Sequence, residues 1–267
     1  MAMRLGCQKT PAKTLVISGA SSGLGLALAR HYLERGAIIA AFARRGELLQ
    51  ALATEFPGQV FYYALDVRDA HAVQNAANDF IARVGVPDVV IANAGVSVGT
   101  LTEYADDLDV FQQVIDINVL GLVKTFQPFV APMRSAQRGT LVGMASVAGF
   151  RGLPGASAYS ASKAAAISYL ESLRVELHNS GVKVVTICPG YIKTPMTALN
   201  PYPMPFILEA DDAAKRMARA IERQIPYITI PWQMGLVGWV LRHLPRWLYD
   251  RLFAKAPHKP RRNQKPV

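Results

Sequence analysis

The sequence predicts an α/β fold: one doubly wound parallel sheet with helices on both faces and a helical extension at its C-terminal end. Short β-branched or apolar runs alternate with longer helical patterns along most of the chain. Several of those runs are apolar throughout, as strands covered on both faces must be. Gly36, Gly85 and Gly181 each stand just past a helical pattern, where a C-terminal cap belongs.

Taken in order, the strand-like runs span residues 14–18, 37–42, 60–65, 88–92, 140–145 and 182–188. The helical patterns between them span residues 23–35, 47–55, 70–83, 108–133 and 158–180. After Gly190 the order is less regular. Residues 194–206 carry Pro195, Pro201, Pro203 and Pro205 among apolar neighbours and read as a mobile loop. A helix over 211–224 and a short strand over 227–230 follow, then helices over 232–241 and 246–254 hinged at Pro245. No repeat or low-complexity linker divides the chain. Residues 1–231 therefore read as a single domain and 232–267 as its amphipathic, basic extension.

A chain of 267 residues with 51% apolar content can bury a sizeable core and is no disordered solvating polymer. Two cysteines, Cys7 and Cys188, exclude a disulfide framework and a thiolate metal site, and suit reduced thiols inside a cell. His31, His71, His178, His243 and His258 lack ligand spacing, so no metal is expected. The net charge of +10 is unevenly placed. Residues 242–267 hold eight Lys and Arg against Asp250 alone, a net +7 that leaves +3 for the first 241 residues. A nearly neutral body argues against nucleic acid as a partner. Arg4, Lys9 and Lys13 precede no apolar leader, and Pro226, Pro231, Gly235 and Gly238 interrupt the apolar run 225–241 short of the roughly 20 residues a spanning helix needs. A cytoplasmic protein is the expectation, with the inner face of a membrane as a second address.

The first strand runs into Ser18-Gly19-Ala20-Ser21-Ser22-Gly23-Leu24-Gly25 and then a helix. Glycines here let the backbone turn tightly and approach a pyrophosphate, which then rests on the helix N-terminus. No Lys follows, so the loop is not of the ATPase kind. Arg44 and Arg45 come directly after the second strand, which ends in Ala41-Phe42-Ala43 without an acid. An acid at this place binds a ribose 2′-hydroxyl, whereas Arg accommodates a 2′-phosphate, so the pattern favours NADP(H).

Tyr159 and Lys163 fall four residues apart on one helix face, with Ser146 thirteen residues ahead of Tyr159 at a strand end. A buried ammonium beside a phenol is expected to lower the phenol's pKa from about 10 towards working pH. That makes Tyr159 an acid/base for a substrate oxygen, and Ser146 a hydrogen-bond donor to the same oxygen. Ser157 lacks the second glycine of a nucleophile elbow, and Cys188 reads as a small core residue.

In these residues the chain resembles the short-chain dehydrogenase/reductase family over residues 13–224. The motifs stand in family order: Gly19-x-x-x-Gly23-x-Gly25, Asp66, Asn93-Ala94-Gly95, Asn118, Ser146, Tyr159-x-x-x-Lys163, and Pro189-Gly190 followed by Thr194. The resemblance implies a Rossmann-like sheet and hydride transfer between a nicotinamide and a carbonyl or carbinol carbon. It implies that Gly19, Ser21, Ser22, Gly23, Leu24 and Gly25 hold the pyrophosphate. Asp66 and Val67 would meet the adenine, Asn93, Ala94 and Gly95 the adenosine side. Pro189, Gly190, Ile192 and Thr194 would bracket the carboxamide. Tyr159 would move the proton, Ser146 polarise the carbonyl, and Lys163 anchor the ribose. Asn118 would hold a water in the relay; read alone, it is a polar residue kinking a long helix. Ser18 stands where Thr is common and Ala92 where Asn is, neither touching the hydride chemistry. A homo-oligomer, dimer or tetramer, is implied as well. A non-catalytic nucleotide-binding or scaffold protein on the same fold is the alternative, and it predicts a damaged tetrad where this one is intact.

Trp232, Trp239 and Trp247, all the tryptophans of the chain, lie in the extension beside its arginines. Either the extension lies in an anionic membrane interface, with residues 255–265 adding attraction to lipid, or it packs over the substrate loop or a partner and ends in a disordered basic segment. The first reading favours a hydrophobic carbonyl or alcohol substrate.

Overall fold

The computed structural model describes residues 12–262. Arg4, Cys7, Lys9 and Lys265 lie outside the described residues. Seven of the described strands form one parallel sheet in the order β3-β2-β1-β4-β5-β6-β9. These are β1 (Thr14–Ser18), β2 (Ile38–Ala43), β3 (Val60–Ala64), β4 (Val89–Ala92), β5 (Gly139–Met144), β6 (Val182–Pro189) and β9 (Tyr227–Ile230). A two-stranded parallel pair, β7 (Ile192–Lys193) with β8 (Leu208–Glu209), stands apart. The central strands carry no exposed residue, which explains their unbroken apolar sequence.

Helices cover both faces. On one side α1 (Gly23–Leu33), α2 (Gly46–Glu55) and α7 (Ala210–Glu222) bury Leu28, Leu49 and Met217 against the sheet. On the other, α3 (Ala70–Val84), α5 (Gly121–Ser135) and α6 (Ser157–Glu176) bury Phe80, Phe126, Phe129 and Leu170. Gly36, Gly85 and Gly181 all take positive φ after a helix, at +81°, +107° and +75°. Strand order reverses between β1 and β4, so the loops after these two strands diverge and leave a crevice at the carboxyl edge of the sheet.

Three local features depart from the sequence-based expectation. The single helix expected over 108–133 is α4 (Asp107–Ile115), a π-helical turn over Asp116–Leu120, and then α5. Asn118 sits in that turn, where one extra residue per turn swings its side chain inward. The segment 194–206 is irregular, as expected, but its two ends are tied together by the β7–β8 pair. The extension forms α8 (Trp232–His243) and α9 (Arg246–Phe253), as read, yet residues 255–262 are no free basic end. Lys259 is buried and donates to Ser97 Oγ at 2.8 Å, the Gly99 amide donates to Pro260 O at 3.0 Å, and Arg261 pairs with Asp107 at 2.8 Å while covering the Tyr104 ring.

Candidate active site

The crevice is one continuous cavity of about 310 Å³. It is built first from the turn after β1. Gly19 and Gly23 have φ of +71° and +55°, which a side chain would strain. A Cβ on Gly25 would fall 2.2 Å from Gly19 O, so the turn closes only with glycine there. Beneath it the Ser18 hydroxyl accepts from the amides of Asn93 (3.1 Å) and Ala94 (3.2 Å), and Asn93 Nδ2 donates to Ser18 O at 3.0 Å. Thus the Asn93 turn stitches β1 to β4, and a serine does the work expected of threonine.

The first turn of α1 contains no acid, so its free amides and dipole face the cavity uncompensated. Arg45 reaches over from the end of β2, donating to Ser22 Oγ at 2.6 Å and Ser21 Oγ at 3.1 Å. Arg44 lines the same rim. Asp66 stands across the crevice, clamped by Arg68 through Nε (3.1 Å) and Nη2 (2.7 Å). Those hydrogen bonds hold its carboxyl below the usual carboxylate range.

Farther along, α6 presents Tyr159 and Lys163. The buried Lys163 Nζ donates to Met144 O at 2.7 Å and lies 5.8 Å from the centre of the Tyr159 ring. Burial pushes this ammonium down to about 8. The expected lowering of the Tyr159 phenol by Lys163 is not what the geometry gives. Burial moves the phenol above its ordinary value, and the group that pulls it back is Ser146, through a hydrogen bond. The ammonium instead spends its contact on the Met144 carbonyl.

Ser146 stands two residues past β5 and accepts from the Ala148 amide at 3.2 Å, so it caps a short turn and faces the phenol at once. Asn118 is buried. Its Oδ1 accepts from Val96 N at 2.8 Å, and its Nδ2 donates to Val96 O (2.9 Å) and Ser162 Oγ (3.0 Å). A Cβ on Gly95 would meet both Asn118 Oδ1 (3.2 Å) and Lys163 Nζ (3.7 Å), which puts these groups side by side.

Every residue named from the sequence for the cofactor lines this cavity, from Gly19, Ser21, Ser22, Leu24 and Val67 to Pro189, Gly190, Ile192 and Thr194; Asn118 stands behind its wall. Sequence reasoning missed the small and apolar lining: Ala43, Val96, Ile117, Met144, Ala145, and Pro195, Met196 and Thr197 beyond Thr194. Most are chain neighbours of a motif residue, and that adjacency was the signal. Outside that lining, the Tyr202 ring meets Tyr191 edge-on at 6.4 Å, and burial pushes its phenol up to about 12, with Tyr191 and Tyr159 adding to it. Among the described residues no three His, Cys, Asp or Glu side chains gather as metal ligands.

Comparison with known proteins gives this geometry its kin. A family model described as short chain dehydrogenase matches residues 13–201. An uncharacterized oxidoreductase of Myxococcus xanthus is 40% identical over 241 residues, covering 89% of this chain and 95% of that one. A 2-dehydro-3-deoxy-L-rhamnonate dehydrogenase (NAD(+)) of a Sphingomonas species is 38% identical over 181 residues, or 68% and 72% of the two chains. Among solved structures, an alcohol dehydrogenase from the archaeon Thermococcus sibiricus complexed with 5-hydroxy-NADP superposes with a TM-score of 0.72 at 26% identity, covering 82% of this chain and 96% of that one. With the family model matching residues 13–201 and a relative 40% identical over 89% of the chain, the chain belongs to the short-chain dehydrogenase family of nicotinamide-dependent oxidoreductases.

Proposed function

We propose that the protein interconverts a carbonyl and a secondary alcohol on a hydrophobic substrate, using NADP(H), with Tyr159 as the acid/base. The observation that carries this reading is the meeting of Tyr159, Ser146 and Lys163 in the same cavity as the glycine turn and the two arginines. A scaffold protein would have no use for that arrangement. In this reading residues 1–231 carry the chemistry and 232–267 are its extension.

The residues present fit a dinucleotide. The glycine turn leaves backbone amides bare at the N-terminus of an acid-free helix, which suits a pyrophosphate. The end of β2 offers Ala43, Arg44 and Arg45 and no carboxylate, so a 2′-phosphate meets cations and a plain ribose finds no acceptor. When bound, the nicotinamide supplies or accepts the hydride. The chain handles the proton. Tyr159, held protonated by burial, donates to the developing alkoxide during reduction, while Ser146 donates a hydrogen bond to the same oxygen. Lys163, next to Asn118 and Gly95, places a cation behind the phenol as it loses its proton. Pro195 and Met196, just beyond Thr194, add apolar lining that suits a hydrophobic substrate.

Cofactor choice supplies the test. Arg44→Asp and Arg45→Ala should each weaken NADPH binding by about 10- to 100-fold, the value of a charge-assisted contact to phosphate, and barely alter NADH. Isothermal titration with both nucleotides measures this. Equal losses for the two would overturn the assignment.

A further inference from the structure

α8 is apolar on two opposite faces. Inward, Met234 packs on Gly190 of the cavity wall and Gly238 lies against the ring of Phe150. Outward, Trp232, Leu236, Trp239 and Val240 recur at i, i+4, i+7 and i+8 and form one stripe in solvent. In α9 Tyr249 is buried while Trp247 and Leu252 face out. The exposures of Trp232, Trp239 and Trp247 are 69%, 60% and 68%, so the folded chain turns every one of its tryptophans outward. Exposed Arg242, Arg246, Arg251 and Lys255 follow along α8, α9 and the turn after it, and make no ion pair among the described residues. Asp250 is the one acid in residues 232–262.

We propose that the outer face of α8 and α9 docks on an anionic lipid surface. Tryptophan prefers the boundary where a ring can be half in hydrocarbon and half wet, and each nearby cation adds attraction to anionic headgroups. A second copy of the chain fits this face poorly, because a two-fold contact would gather eight of these cations and only two acids in one interface. Docking also fixes the position of the cavity. α8 is seated on Gly190 and on Phe150, so a bilayer under α8 lies beside the loops that frame the crevice. The segment after Thr194 adds exposed Met196, Leu199, Phe206 and Ile207. Delivery of a lipophilic substrate from the bilayer rests on the proposed reaction; the docking itself does not.

The full chain should co-sediment with vesicles of phosphatidylcholine mixed with phosphatidylglycerol, far less with phosphatidylcholine alone, and binding should weaken as salt rises. Its tryptophan emission should shift to the blue on binding, since all three tryptophans stand exposed on α8 and α9. Replacing Arg246 and Arg251 together by Ala should weaken partitioning by about thirtyfold. Trp239→Ser with Trp247→Ser should abolish it while leaving the melting temperature and turnover of a water-soluble ketone unchanged. Equal partitioning to both vesicles, no partitioning, or a blue shift that follows protein concentration without vesicles would overturn the docking. Partitioning without any ketone turnover would instead leave docking standing and count against the proposed reaction.

Discussion

Lys163 sets the expected pH behaviour of the site. Burial lowers its ammonium to about 8, so the cation is present below that pH and lost above it. In reduction Tyr159 gives up a proton, and a cation nearby favours the phenolate that results. The value of kcat/KM for carbonyl reduction should therefore be level below about pH 8 and fall as pH rises through it. Alcohol oxidation, which starts from the phenolate that this cation favours, should lose the same support over that range. In Lys163→Met the limb near 8 should vanish. Profiles without inflection between about pH 6 and pH 10 would contradict this role. Tyr159 is the sharper probe. Tyr159→Phe removes the acid but keeps the ring, and should cut kcat by about a thousandfold or more with NADPH affinity intact in a fluorescence titration. Turnover near the parent rate would refute the assignment.

The π turn between α4 and α5 is the element on which the inner wall depends. It lets Asn118 satisfy both backbone groups of Val96 and reach Ser162 as well. Asn118→Ala would leave those part-buried groups unpaired, at about 2–4 kcal/mol, and lower the melting temperature by about 5–12 °C. A calorimetric shift below about 2 °C would show that the turn holds without its asparagine. This element is also where the sequence is least informative. The apolar spacing over 108–133 is that of one helix, and a single inserted residue shifts its phase without erasing the pattern. The glycine turn is legible because positive φ at Gly19 and Gly23 demands glycine, and the pair Tyr159 and Lys163 because helix geometry alone puts them on one face. The behaviour of Lys163 is not legible. Its contact with Met144 O joins α6 to the end of β5, and no local spacing encodes that approach. Residues 255–262 have no period at all. They are held singly by Ser97, Gly99 and Asp107, and the sequence shows only their charge.

Across the whole molecule, those late contacts make the C-terminal segment a strap over the loop between β4 and α4. Removing residues 257–267 would strip Gly99 of its carbonyl partner and Asp107 of its cation. The amides of residues 97–107 should then exchange with deuterium faster than in the full chain, while those of β1 and β4 keep their protection. Unchanged exchange in that loop would show the strap to be idle. A second tie lies nearer the hinge. Arg151 donates to the carbonyls of Leu241 and Leu244 at the end of α8, its guanidinium covers the Tyr249 ring at 4.0 Å, and the Tyr249 hydroxyl donates to Gly152 O. One side chain thus belongs both to the helical hinge at Pro245 and to the loop that leads into Tyr159. Such sharing creates a thermodynamic linkage between surfaces that never meet. If holding the hinge still from outside steadies this loop and so tightens the nucleotide by some factor, the nucleotide must tighten the hold on the hinge by that same factor. The dinucleotide and the lipid would then act as each other's effectors, with Arg151 as the joint through which the debt is settled in both directions.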